Sequence, residues 1–139
     1  MDYALIDTGV WYGVFDNRDP WYKEANVKAE YFDLFKLVLP WPTVYETLRT
    51  RFVKNKAALQ QFEKFLKAPN IIYLDDTKYR DDAFDLSFES SLRRGRPLSM
   101  VDSLLRLVID DPNVKINYLL TFNPGDFVDA CHRNRVEIF

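Results

Sequence analysis

Short apolar runs bounded by turn residues alternate along this chain with longer stretches in which apolar positions recur every three to four residues. Runs of the first kind read as buried strands and stretches of the second kind as helices. Tyr3–Ile6 is the first strand, and it ends on Asp7, Thr8 and Gly9. After the turn-rich DNRDP, residues 21–35 read as a helix with Pro20 at its start. KLVLP is a second strand, closed by Pro40. In PTVYETLRTRF, Val44, Leu48 and Phe52 repeat at i, i+4 and i+8, the spacing of one helical face. A helix AALQQFEKFLKA follows and ends near Pro69, and NIIYL is a third strand. TKYRDDAFDLSFESSLRR reads as helical and stops before Gly95. LSMVDSLLRLVIDD is an apolar helix opened by Ser99, with Pro112 beyond its end. NYLLTF is a fourth strand, DFVDACHRN a short helix and VEIF a last strand. Strands alternating with helices predict an α/β fold, a three-layer sandwich with a mostly parallel central sheet flanked by helices. With 139 residues and no repeat or linker, one domain spanning 1–139 is expected.

In a parallel sheet, ligands bind beyond the carboxyl ends of the strands. Four acids fall at that edge in the expected order. Asp7 lies just past the first strand, Glu46 in the first turns of the helix after the second, Asp102 near the start of the helix opened by Ser99, and Asp126 just past the fourth strand. Carboxylates gathered this way repel and resist ionising, and a divalent cation relieves them. An all-oxygen set without Cys or His suits Mg2+ or Mn2+. Each acid also has an ordinary structural reading. Asp102 precedes Arg106 by one turn and Glu46 precedes Arg49 by three residues, both surface ion-pair spacings. Asp126 fits a helix start and Asp7 an Asx turn.

Composition changes the picture in three places. A net charge of −2 carries no basic signature, so a nucleic-acid partner requires a local basic patch or a bound metal. Cys131 is the single cysteine, which excludes a disulfide framework and a cysteine zinc site and fits a reducing, cytoplasmic compartment. Asp2 and the lack of a basic leading segment argue against a signal peptide, and no apolar run approaches the ~20 residues of a membrane span.

The ordered set of acids resembles a known family. LIDTGVWYGVFD is similar to the opening Asp-Thr/Ser motif of PIN-domain ribonucleases, PTVYETL to the second motif with Glu46 as its acid, RPLSMVDSLLRL to the third with Ser99 and Asp102, and LLTFNPGDF to the fourth with Asn123 and Asp126. The likeness runs from Asp2 to Phe139 and is greatest to the small stand-alone toxins of the VapC type. It departs at Trp21, where many relatives carry a histidine. The resemblance implies Mg2+- or Mn2+-dependent endonucleolytic cleavage of RNA, with Asp7, Asp102 and Asp126 as metal ligands. Glu46 would share a second metal or orient the attacking water. Thr8, Ser99 and Asn123 would support the carboxylates and waters by hydrogen bonds. It also implies a small antitoxin protein encoded nearby and a homodimer.

Affinity for RNA requires other residues. Arg93, Arg94 and Arg96 precede the third motif, and Arg49 and Arg51 follow the second, where they can contact flanking phosphates. Trp11, Tyr12, Trp21, Tyr22 and Trp41 near the motif ends are candidates for stacking on unpaired bases or for the core. Two other functions share this pattern: a PIN-like module that binds RNA or protein without cleaving, and a receiver-like phosphoacceptor domain. The second requires a lysine after a late strand, where this chain has LTFN.

Overall fold

Five parallel strands form one sheet in the order β3-β2-β1-β4-β5 in the computed structural model, which describes all residues from Met1 to Phe139. Along the chain, β1 (Asp2–Ile6) leads to α1 (Thr8–Phe15) and α2 (Tyr22–Ala29). Next come β2 (Phe35–Pro40), α3 (Trp41–Thr47), α4 (Thr50–Val53) and α5 (Lys56–Leu66). β3 (Ile71–Leu74) is followed by α6 (Arg80–Phe88) and α7 (Met100–Asp110), β4 (Tyr118–Leu120) by α8 (Val128–Asn134), and β5 (Glu137–Ile138) closes the sheet. The expected α/β sandwich with a parallel sheet is therefore the fold.

The strands alternate between two cores, one on each face of the sheet. Ala4, Ile6, Leu37, Leu39 and Leu120 pack with Val10, Trp11, Val14, Ala25 and Phe62 on one face. Leu5, Val38 and Leu119 pack with Ala83, Leu105, Val108, Ala130 and Cys131 on the other. Strands buried on both faces read as unbroken apolar runs, which is why YALI and KLVL were legible. The chain steps outward from β1 through β2 to β3, then returns across the sheet to place β4 on the other side of β1. The β1/β4 junction is thus the point where strand order reverses, the place where ligands bind at the carboxyl edge of open α/β sheets.

Three elements differ from the sequence expectation. TGVWYGVF forms α1, which the hydrophobic pattern did not mark as a helix. Thr8, Val10, Trp11, Gly13 and Val14 are all buried, so apolar residues surround most of its circumference and no polar face sets a period. The helix expected over 21–35 ends at Ala29, and a single 3-10 turn at Phe32–Leu34 leads into β2. The stripe Val44, Leu48, Phe52 does not lie on one helix. The chain leaves helical geometry at Leu48, which is 39% exposed, and α4 then returns Phe52 to the core. Two threonine hydroxyls account for the break: Thr43 Oγ1 donates to the Pro40 carbonyl (2.7 Å) and Thr47 Oγ1 to the Thr43 carbonyl (2.6 Å). Such back-bonding to preceding carbonyls bends helices.

Ser99 does open α7, its Oγ accepting from the Asp102 N–H at 3.0 Å, as Asn55 Oδ1 does for Ala58 at 3.2 Å in α5. Beyond α6, one π turn (Glu89–Arg93) ends the helical run at Gly95, whose φ of +64° suits glycine. No helix is long and apolar enough to cross a membrane.

Gly13 is where α1 and α2 meet. A Cβ there would stand 2.7 Å from the Ala25 Cβ and 3.3 Å from the Trp21 carbonyl oxygen. Neither atom can swing aside, so Gly13→Ala must push the helices apart. A solvated helix would gain up to about 1 kcal/mol from this change. Here overpacking exceeds the gain, and a net loss of about 1–2 kcal/mol is expected in urea unfolding. An unchanged or raised midpoint would mean that α2 can shift freely.

Candidate metal and nuclease site

Asp7 continues the β1/β4 ladder by one residue, its N–H donating to the Leu120 carbonyl at 3.0 Å. That step places Asp7 at the carboxyl edge of the reversal, where it is 7% exposed. It occupies the N-cap position of α1, yet its side chain makes no capping bond, so the Asx reading does not describe it. Instead Oδ2 accepts from Thr121 Oγ1 at 2.8 Å, across the junction between the two strands. Thr121 Oγ1 also accepts from the Asn123 N–H at 3.0 Å, which holds the hydroxyl in place. Burial lifts the Asp7 carboxyl from 3.8 to about 6; the Thr121 bond opposes this, and the charges of Asp102 and Glu46 add to it.

Asp102 sits in the first turn of α7, half-buried. Burial raises its pKa, the Ser99 hydroxyl lowers it, and the charges of Asp126 and Glu46 raise it again. Its i+4 neighbour Arg106 is not its partner. The Arg106 guanidinium forms a two-pronged pair with Asp129, at 2.6 and 2.7 Å, and donates to the Asp126 carbonyl at 2.8 Å. That pairing holds the Asp129 carboxyl well below the usual carboxylate range. Glu46 lies exposed in the second turn of α3, and its carbonyl accepts from the Tyr12 hydroxyl. Arg49 lies over the Tyr12 ring, 4.4 Å from its centroid, rather than beside Glu46.

Asp126 ends a 3-10 turn, Pro124–Asp126, two residues before α8. Two arginines tie this turn down. Arg96 donates to the Gly125 carbonyl (2.6 Å) and stands 3.6 Å from Asp129, while Arg106 holds the Asp126 carbonyl. Arg96 is therefore engaged within the fold. Arg93 is paired with Glu89 at 2.8 Å, whereas Arg94, Arg49 and Arg51 have no carboxylate partner.

The four acids thus stand at one edge and feel one another's charge. They are not drawn into a chelating cluster: no three Asp, Glu, His or Cys side chains approach closely enough to hold a metal ion. The donor chemistry nonetheless fits a hard divalent cation, being all oxygen. Beside Asp7, the Thr8 hydroxyl is buried with no hydrogen-bond partner, and the same holds for Ser103 next to Asp102. Thr8, the residue after Asp7, is thus a polar group left unsatisfied at the carboxyl edge, one that a bound cation's shell would satisfy, whereas Ser103 is buried within the fold.

Of the candidate stacking aromatics, Trp11 is core at 1% exposure. Trp21 stacks on Phe122 at 4.6 Å and 7°, and Trp41 on Tyr73 at 4.8 Å and 16°. Cys131 is buried, and burial pushes its thiol up to about 11, which makes it inert. Two site residues escaped the sequence reading. Thr121 is legible only once β4 is known to lie beside β1, because the register Ile6↔Leu120 then sets position 121 against Asp7. Arg106 reads as a partner of Asp102 until α8 brings Asp129 to it. No family model matches this chain, and no curated protein matches it significantly.

Proposed function

We propose that this chain is a divalent-metal-dependent endoribonuclease, with its site at the β1/β4 carboxyl edge. The observation that carries this reading is Asp7, a carboxylate buried at the strand-order reversal and raised to about 6 by burial and by two further acids. Asp7, Asp102 and Asp126 would hold Mg2+ or Mn2+, and Glu46 would orient the attacking water or share a second ion. When bound, such a cation lowers the pKa of water and offsets charge on the leaving oxygen. The residues of the chain do the positioning. Thr121 fixes one oxygen of Asp7, Ser99 anchors the turn that carries Asp102, and Arg96 and Arg106 clamp the backbone that carries Asp126.

The test is RNA incubated with Mg2+ or Mn2+ and with EDTA, followed by end-group analysis. Cleavage is expected only with metal, leaving 5′-phosphate and 3′-hydroxyl ends, and Asp102→Asn is expected to lack it. Cyclic 2′,3′-phosphate ends, or cleavage in EDTA, would overturn the mechanism. One observation favours a second reading, a binding module that does not cleave: the acids stand apart rather than clustered. Intact RNA with every metal would select it. The toxin assignment and a cytoplasmic setting rest on the resemblance to VapC-type proteins. A neighbouring gene for a small DNA-binding protein with a basic tail would support the assignment.

A further inference from the structure

A group of cationic side chains without carboxylate partners begins across Tyr12 from Glu46. Arg49 packs on the Tyr12 ring, and the hydroxyl of the same tyrosine donates to the Glu46 carbonyl. From Arg49 the surface continues into a cleft that Arg18 and Arg51 share with Asp16 and Asp19, then into a second, open cleft lined by Asn17, Arg18, Arg51, Lys54, Asn55 and Lys56, with no carboxylate. The second cleft lies open to solvent, and no apolar side chain lines it. Arg18 is paired with Asp16, but Arg49, Arg51, Lys54 and Lys56 face no carboxylate within 4.0 Å. In a chain of net charge −2, such a shelf collects an anion.

The helix leading into the shelf carries exposed aromatic rings. Trp41 is 42% exposed and Tyr45 75% exposed, both on α3, and Tyr73, stacked on Trp41, is 40% exposed. Exposed rings on α3, the helix whose end leads the chain to Arg49, suit unpaired bases and have no use in a duplex, whose bases are already stacked. An acidic protein segment would want an apolar centre in the cleft, which is missing.

We propose that Arg18, Arg49, Arg51, Lys54 and Lys56 hold the phosphates of a single-stranded nucleic acid while its bases stack on Trp41 and Tyr45. The proposal rests on the nuclease reading for its purpose, since the track would deliver the strand to Glu46 and Asp7. Its test does not depend on cleavage.

Fluorescence anisotropy of a labelled, mixed-sequence single-stranded RNA is measured in EDTA across a salt series. The variant Arg51→Ala/Lys54→Ala/Lys56→Ala is expected to bind at least tenfold more weakly at low salt. Its plot of log affinity against log salt should flatten by about 2, the sum of three lost contacts at ~0.7 each. Trp41→Ala should weaken single-strand binding by on the order of tenfold and leave binding of a blunt RNA duplex unchanged. Unchanged affinity and slope in the triple variant would overturn the shelf. Equal competition by polyglutamate would assign it to an acidic protein partner and also overturn the proposal. A Trp41→Ala variant that binds single strands like wild type would remove the stacking half and with it the single-strand assignment. Loss of RNA binding in the triple variant, with no cleavage by wild type in any metal, would refute the nuclease reading and leave the shelf standing.

Discussion

Asp7→Asn will melt at a higher temperature than wild type in EDTA at neutral pH, and its cleavage of RNA with Mg2+ will collapse. The first half follows from burial. The Asp7 carboxyl titrates near 6 in the fold and near 3.8 when free in water, so the folded state disfavours its charge. A raised carboxyl contributes full stability below pH 3.8, where it is neutral in both states, and that stability is lost as the pH rises through about 6. Above that window the cost is roughly 2–3 kcal/mol, at about 1.4 kcal/mol for each pH unit separating the two titration points. Asparagine removes the charge and keeps a carbonyl oxygen for the Thr121 hydroxyl. Its advantage should therefore be full at pH 7, shrink between pH 6 and 4, and vanish near pH 4. The second half follows from the same charge being what a cation would need. Cleavage should fall by roughly a hundredfold or more, the scale of deleting one preorganised charge-stabilising group. Mg2+ should also raise the melting point of wild type by mass action, and much less that of the variant. Thermal melts over a pH series, with EDTA and with Mg2+, read all of this. A variant that melts lower at pH 7 would make Asp7 a structural residue, and one that cleaves like wild type would remove it from the site.

Trp11→Ala will cost about 3–5 kcal/mol, a large part of the stability of a domain this size. Trp11 is 1% exposed and meets Phe15, Phe32, Phe62 and Phe65 at centroid distances of 6.1, 5.7, 5.7 and 5.3 Å. Truncation would leave a cavity ringed by four aromatic side chains from α1, the 3-10 turn before β2 and α5, which cannot collapse together. Trp11→Phe should cost far less. The indole N–H is buried with no acceptor, so phenylalanine removes an unsatisfied donor while keeping a ring among rings. Urea unfolding with an unchanged slope measures both variants. Equal losses for Ala and Phe would overturn the account that ring packing carries the cost.

The strand-and-helix order was legible because burial on both faces writes strands as short apolar runs and because Ser99 caps α7 as a serine before an apolar period should. From that order alone, Asp7, Glu46, Asp102 and Asp126 fall at the carboxyl edge, since a parallel sheet sends the residue after each strand to the same side. Periodicity failed where local geometry or complete burial replaced it. α1 is apolar nearly all round, and the stripe from Val44 to Phe52 is broken by threonine hydroxyls bonding back onto carbonyls, an effect invisible to hydrophobic spacing. The partners of the site were decided by tertiary structure. Thr121 reaches Asp7 only because β4 returns beside β1, and Arg106 leaves Asp102 for Asp129 only because α8 packs on α7. The cationic shelf likewise joins residues from the α1–α2 turn and from the stretch Arg49–Lys56 around α4 that lie more than thirty positions apart in the chain. Sequence spacing sets which charges neighbour each other within one helix, and chain crossing sets which meet between elements. For that reason the identity of the acids belongs to the sequence, while the burial that raises Asp7, the clamp on the Asp126 turn and the spread of the four carboxylates belong to the fold.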